Sequence, residues 1–246
     1  MSDEPRKASP DFPRYAIYYA PAPGSALDRF GAHLLGYDAW TGEELSFPDF
    51  ATQAAPDWRD LTQYPRKYGF HATLKAPMSL ASGATEAELL AACATFADKP
   101  RTIPGISPVV NAISGFIAVV PSTRSSALDQ LAADCVIDLD CFRAPLTPED
   151  RTRRNPSALT PRQRELLERW GYSYVMEEFR FHMTLTGRLD AVRRPLVLTM
   201  LQRRFSDIDM PQLAIDRVAL FRQDDPTSRF RIVSQWRLRD AQRGTS

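Results

Sequence analysis

Two short stretches of this chain are near copies: Phe70-His71-Ala72-Thr73-Leu74 and Phe181-His182-Met183-Thr184-Leu185. The sequence holds three histidines, and two of them fall in this repeat. Imidazole gains and loses a proton near neutral pH, so two of them supply an acid and a base without any cofactor. Each copy also places a threonine hydroxyl two residues after its histidine. On an extended strand that hydroxyl shares the histidine's face.

Alternation sharpens the pattern. In the first copy Lys67, His71, Thr73 and Lys75 form one face, with Phe70, Ala72 and Leu74 on the other. In the second, Arg180, His182, Thr184, Thr186 and Arg188 oppose Phe179, Phe181, Met183 and Leu185. Each strand thus presents an imidazole, a hydroxyl and cations away from an apolar layer. No carboxylate or third histidine stands at ligand spacing, so a metal site is not expected. The set suits a phosphodiester. One imidazole activates water, the opposed imidazolium protonates the leaving oxygen, and Thr73, Thr184 and Lys75 or Arg180 hold the non-bridging oxygens. Arg143, beside Pro145, is a further candidate to reach the substrate, and Tyr68 a candidate to stack on a base or sugar ring. His33 is read as a partly buried structural residue, and the basic run at 151–154 as a solvated helix face.

The elements that must position these groups alternate between strand and helix. Tyr15 to Ala20 reads as a strand stopped by Pro21. Ser25 or Gly24 caps a helix through about Leu35. Residues 41–64 read as a long loop, either a lid or packing. Phe70 to Lys75 is the first motif strand, closed by Pro77. A helix from Glu86 to Ala97, strands at 106–113 and 116–120, and a helix from Ala127 to Val136 follow. Thr160-Pro161 opens a short helix to Trp170. The second motif strand runs from Glu178 to Thr186. A helix at 193–205 and strands at 212–222 and 229–238 complete the chain. The order after each motif is the same, and the histidines are 111 residues apart. That implies an internal duplication: an α+β fold of two lobes related by a pseudo-twofold. The expected division is a tail at 1–12, one bilobal domain at 13–240 with pseudo-repeats at about 13–137 and 138–240, and a tail at 241–246.

Composition bounds the function. The chain has 246 residues, 43% hydrophobic and 25% charged, with a formal net charge of +1. This balance disfavours a non-specific binder of long nucleic acid, which normally carries a basic excess. Three cysteines, Cys93, Cys135 and Cys141, include no CxxC pair and read as packing residues in a reduced compartment. The polar N-terminus lacks a signal-peptide core, and no apolar run approaches a membrane span, so the expected location is the cytoplasm.

The longer strings Pro65 to Pro77 and Glu177 to Gly187, together with Arg14 to Pro21 and Cys141 to Trp170, resemble one branch of the 2H phosphoesterase superfamily. That branch is the DUF1045 family, associated with phosphonate metabolism because its genes lie near carbon–phosphorus lyase genes. The resemblance implies two pseudo-symmetric lobes of antiparallel sheet plus helices around a central cleft. It implies His71 and His182 as the catalytic pair, and Thr73 and Thr184 as phosphate ligands. The expected activity is metal-independent, cofactor-free hydrolysis of a small cyclic phosphodiester of a nucleotide or ribose. Lys67, Tyr68, Lys75, Arg143 and Arg180 are expected around the substrate. The alternatives are an RNA-end 2′,3′-cyclic phosphodiesterase or ligase, needing a basic track from Arg151, Arg153 and Arg154, and a phosphate-ligand binding module without turnover.

Overall fold

Every side chain of Tyr15-Ala16-Ile17-Tyr18-Tyr19 is buried, so this apolar, aromatic stretch lies at the centre of a sheet rather than at its edge. In the computed structural model, which describes residues 12–244, it forms β1 (Arg14–Tyr19). Then follow α1 (Ala26–Leu35), α2 (Asp49–Ala54), α3 (Trp58–Leu61), α4 (Gln63–Arg66) and β2 (Ala72–Ser79). Next are α5 (Glu86–Asp98), β3 (Gly105–Ile106), β4 (Pro108–Ile113), β5 (Phe116–Pro121) and α6 (Ser126–Asp138). α7 (Pro148–Arg153), α8 (Pro161–Trp170), β6 (Met183–Thr184), α9 (Arg193–Ser206), β7 (Leu213–Ala214), β8 (Arg217–Gln223) and β9 (Arg231–Arg237) complete the order. The expected tail at 1–12 lies outside the described residues except for Phe12. The one at 241–246 does so except for Ala241–Gly244, a turn of 3-10 helix.

The helices begin where their capping residues stand. Ser25, Ser125 and Thr160 each accept a hydrogen bond from an N-terminal amide of α1, α6 or α8. Thr85 and Glu88 form a reciprocal capping box at α5. α9 has Pro195 in its first turn, and Asp190 Oδ1 accepts from the amides of Val192 and Arg193.

Seven strands form one antiparallel sheet in the order β4-β5-β6-β2-β1-β8-β9, and β3 pairs with β7 separately. The fold is therefore α+β, built on a large antiparallel sheet. The two motif strands, β2 and β6, are neighbours, joined at the pair Ala72↔Met183. Each also sits on the side of the hairpin that follows the other motif: β4–β5 lies beside β6, and β8–β9 lies beyond β1 from β2. One sheet face carries the main core, where Ile17, Ala72, Leu74 and Met183 pack with side chains of α1, α5, α6 and α9. A smaller apolar cluster on the other side contains Ala16, Tyr18, Tyr37, Phe221 and Phe230.

Several elements differ from expectation for identifiable reasons. The 41–64 stretch is not a loop: Tyr37 bridges to Glu44, and three short helices follow. Trp58 anchors them, fully buried with its indole N–H donating to Leu34 O at 2.8 Å. Pro77 lies inside β2 instead of closing it, next to irregular pairing where a ladder hydrogen bond is already lost. The second motif strand is far shorter than Glu178–Thr186. A 3-10 turn at Met176–Glu178 precedes it, and only Met183 and Thr184 pair as strand. Cys93 and Cys135 are buried packing residues, whereas Cys141 is exposed.

Candidate active site

The first histidine is fixed by the residue two before it. Gly69 adopts a left-handed φ of +72°, and a Cβ there would stand 2.7 Å from Ala39 Cβ, so glycine is required. This conformation places Gly69 O 2.9 Å from His71 Nδ1. A carbonyl only accepts, so Nδ1 carries the proton and Nε2 keeps its lone pair. Thr73 Oγ1 lies 3.4 Å from that Nε2, and Tyr18 stacks on the imidazole with ring centroids 3.8 Å apart. The second histidine repeats the device, with Nδ1 donating to Arg180 O at 2.7 Å. Here the guanidinium of Arg180 bonds back to Glu177 O and Phe179 O and so braces the carbonyl.

The register brings the motifs together. Ala72↔Met183 points both partners into the core, so the neighbouring positions face away from it. Extending the pairing one residue each way sets Thr73 opposite His182 and His71 opposite Thr184. The two imidazoles then occupy diagonal positions, for which Cα separations are about 7–8 Å. Thr73 and His182 line one cavity of about 330 Å³ with Phe116, Tyr172, Phe179 and Arg180. His182 and Thr184 also line an adjoining cavity with Tyr64, Phe116 and Arg188. The first cavity is of ligand size.

Burial sets the charge state. His71 is pushed down to about 4, chiefly by desolvation and further by the nearby His182, against the Gly69 hydrogen bond that favours its charged form. Desolvation likewise lowers His182. Both imidazoles are neutral at pH 7 in the free protein. Among the described residues no three His, Cys, Asp or Glu side chains form a metal-binding group.

The other expected site residues divide. Tyr68 stands beside His71 at 6.1 Å between ring centroids and stacks on Phe230. Burial raises its phenol to about 12, so it is a neutral hydrogen-bond donor. Arg180 lines the His182 cavity. Lys67 lines a separate basic hollow with Arg59, Arg66 and Arg229, and donates to Pro226 O. Arg143 is bound through two nitrogens to Asp140 and lines a different cavity.

Lys75 is a correction. Tyr18 pairs with Thr73 but Ile17 pairs with Lys75, so a bulge inserts Leu74 and turns Lys75 onto the core side of the sheet. There it is 3% exposed, ion-paired to Asp140 at 2.9 Å and donating to Val136 O. Thr186 departs in the same way. The amides of Leu185 and Thr186 both donate to Ile117 O, and Thr186 is buried with its hydroxyl accepting from Ile117 N. His33 is exposed rather than partly buried, facing Ser46 O. The 151–154 run is not wholly a solvated face: Arg151 pairs with Glu168, but Arg154 lies over the ring of Tyr172 at 4.8 Å.

The sequence reading missed Tyr64, Phe116, Tyr172 and Arg14 around these cavities, and named Arg154 only for an alternative basic track. Arg188 sat on the correct alternating face. Phe116 enters through the hairpin that crosses to the other motif, and nothing in the local sequence announces that crossing.

Comparison with known proteins follows from this geometry. Two curated relatives are both named ribose 1,5-bisphosphate phosphokinase PhnN. The one from Laribacter hongkongensis (strain HLHK9) is 34% identical over 220 residues, covering 89% of this chain and 50% of the relative. That from Janthinobacterium sp. (strain Marseille) is 32% identical over 229 residues, covering 92% and 51%. The chain thus spans about half the length of the curated relatives it matches. Among solved structures, E. coli LigT complexed with 3′-AMP aligns over 93% of this chain and 99% of its own, at 15% identity and a TM-score of 0.41. A structure described as a phosphoesterase aligns over 93% and 99%, at 11% identity and 0.39. The family profile described as "Protein of unknown function (DUF1045)" matches residues 73–231, well over half the chain, and the protein belongs to that family.

Proposed function

We propose that the protein is a 2H-type phosphodiesterase that hydrolyses a small cyclic phosphodiester of a ribose or nucleotide with His71 and His182. One observation carries the reading. Both imidazoles are tethered through Nδ1 to the carbonyl two residues back, on adjacent strands, so each offers Nε2 from the side opposite the core. In the reaction one Nε2 takes a proton from water as its oxygen attacks phosphorus. The ring P–O bond breaks, and the other imidazolium Nε2 gives its proton to the leaving oxygen. The imidazoles are neutral in the free site, so the anionic substrate itself raises the acid's proton affinity on binding. Thr73 and Thr184 donate to the non-bridging oxygens. No step in this scheme calls for a metal or cofactor.

The relatives' name points to a ribose phosphate. Hydrolysis of a ribose cyclic phosphodiester leaves a ribose phosphomonoester, the class of compound in that name. This chain contains no Gly-x4-Gly-Lys-Ser/Thr phosphate loop. We therefore assign kinase chemistry to the half of the relatives that it does not match. A cytoplasmic role in phosphonate metabolism fits both points, and among the described residues no helix is long and apolar enough to cross a membrane.

The test is a panel of cyclic phosphates, including ribose 1,2-cyclic and nucleoside 2′,3′-cyclic phosphates, assayed with excess chelator. Wild type turns over at least one of them, and His71→Ala and His182→Ala each lower kcat by about 10²–10⁴-fold. Full activity in either variant refutes the two-histidine mechanism. Chelator inhibition refutes metal independence, and tight binding without product favours a binding module.

A further inference from the structure

A second cationic site lies beside the first. Arg14, Arg143, Arg153 and Arg154 edge a cavity of about 50 Å³ together with Ser79 and Thr147. That is room for a few water-sized groups, the scale of a phosphate rather than a ring. Its charges are unevenly satisfied. Arg143 is neutralised by Asp140, and Arg153 contacts the Asp150 carboxylate, which also lines the cavity. The side chains of Arg14 and Arg154 form no hydrogen bond or ion pair with any described residue. Arg154 Nε is sealed from solvent without an acceptor. Burial and the charges of Arg153 and Arg154 hold the Arg14 guanidinium below its ordinary value.

These arginines adjoin the histidine site. Arg14 and Tyr18 share a face of β1, and Tyr18 stacks on His71. Four strand residues span roughly 13 Å, and Arg14 is close enough to Tyr18 and Tyr68 for both to act on it electrostatically. Arg154 lies against Tyr172, whose ring also lines the Thr73–His182 cavity. The other basic hollow differs because its cations are committed. Arg59 and Arg229 pair with Glu44, Arg66 donates to Leu35 O and Thr62, and Lys67 donates to Pro226 O.

We infer that Arg14, Arg153 and Arg154 form a subsite for a second phosphate on the substrate, a terminal phosphomonoester on the sugar that carries the cyclic phosphodiester. The inference rests on the proposed phosphodiesterase reading and narrows its substrate class. Guanidinium forks match a phosphomonoester's oxygens in shape and charge. Ring opening of such a substrate by water leaves a sugar with two phosphomonoesters. Ribose 1,5-bisphosphate, in the relatives' name, is of that class.

The experiment compares ribose 1,2-cyclic phosphate with its 5-phosphorylated form in wild type and in the Arg14→Met/Arg154→Met variant, each alone and combined. Wild type is expected to prefer the phosphorylated substrate in kcat/KM, through KM, by on the order of 10–100-fold, the worth of one or two charge-assisted hydrogen bonds. The preference, read as a ratio, collapses toward one in the double variant. A ratio unchanged by the substitutions, even with both activities lowered, overturns the subsite because a merely structural loss affects both substrates alike. A direct arm separates this outcome from failure of the phosphodiesterase reading. Calorimetric titration with ribose 5-phosphate needs no turnover, and its affinity is expected to fall at least ~10-fold in the double variant. Equal affinity in both proteins refutes the subsite, whereas lost affinity with no hydrolysis of either substrate retains the subsite and refutes the catalysis.

Discussion

His71 makes an unusual titration demand on this fold. Its folded value of about 4 lies below the 6.5 of an ordinary histidine, and burial beneath Tyr18 is the main cause. Between those two values the unfolded chain binds a proton that the folded chain refuses. Stability therefore rises with pH through that window, is fully present above 6.5, and is lost as pH falls toward 4. A difference of ~2.5 units corresponds to about 3 kcal/mol, reduced to about 2 kcal/mol for the solvent that a half-buried ring still meets. His71→Gln keeps an N–H for Gly69 O but has no proton to refuse. The check is urea unfolding at several pH values from neutrality to about pH 4, run beside NMR titration of the histidine ring protons, of which the chain has only three sets. Wild type is expected to lose about 2 kcal/mol more than the variant on acidification, with His182 leaving a residual slope of the same sign in both. Adding inorganic phosphate should move both ring titrations upward. An unliganded His71 that titrates near 6.5, or a variant with the wild-type pH slope, refutes the reasoning.

Two further outcomes follow from the groups that hold the site. Lys75→Met is expected to leave KM unchanged, because Lys75 faces the core and Asp140 retains Arg143 as a partner. Asp140→Ala strands a 3%-exposed ammonium beside Arg143 and is expected to cost about 3–5 kcal/mol in chemical denaturation. A tenfold rise in KM for Lys75→Met would instead return that lysine to the substrate. Gly69→Ala forces a side chain into left-handed backbone against Ala39 and is expected to destabilise by more than about 1 kcal/mol. It also displaces the carbonyl that orients His71, so kcat falls in protein that remains folded; wild-type stability and kcat together would show the anchor to be dispensable.

Alternation carried the sequence reading as far as alternation held. His71, Thr73, His182 and Thr184 all stand where a period of two puts them, on the side away from Ala72 and Met183. The pattern breaks immediately afterwards, and at the equivalent place in both copies. Leu74 and Lys75 bulge against Ile17, and Leu185 and Thr186 bulge against Ile117. A bulge is set by the partner strand's hydrogen bonding, so inspecting one strand at a time could not find it. Capping boxes and N-caps made most helix starts readable, since their chemistry is local. The 41–64 helices were hidden because each is only four to six residues long and held by Trp58 packing on α1 rather than by a periodic apolar face.

The bulges also change where positive charge is available for an anionic substrate. With Lys75 inverted and both imidazoles neutral, the motif strands offer hydroxyls and lone pairs, and Arg180 and Arg188 are the cations of the second motif that line the cavity. On the proposed reading Arg14 and Arg154, whose side chains have no acidic partner among the described residues, add positive charge for the substrate's second phosphate, with Arg154 lying against Tyr172 at the edge of that cavity. Remote charges acting on a non-reacting phosphate can hold the substrate without competing for the reacting one, leaving the histidine pair free to exchange protons. Capture and chemistry then fall to different residues. Substitution at the arginines should register in KM and substrate ratio, and substitution at the histidines in kcat.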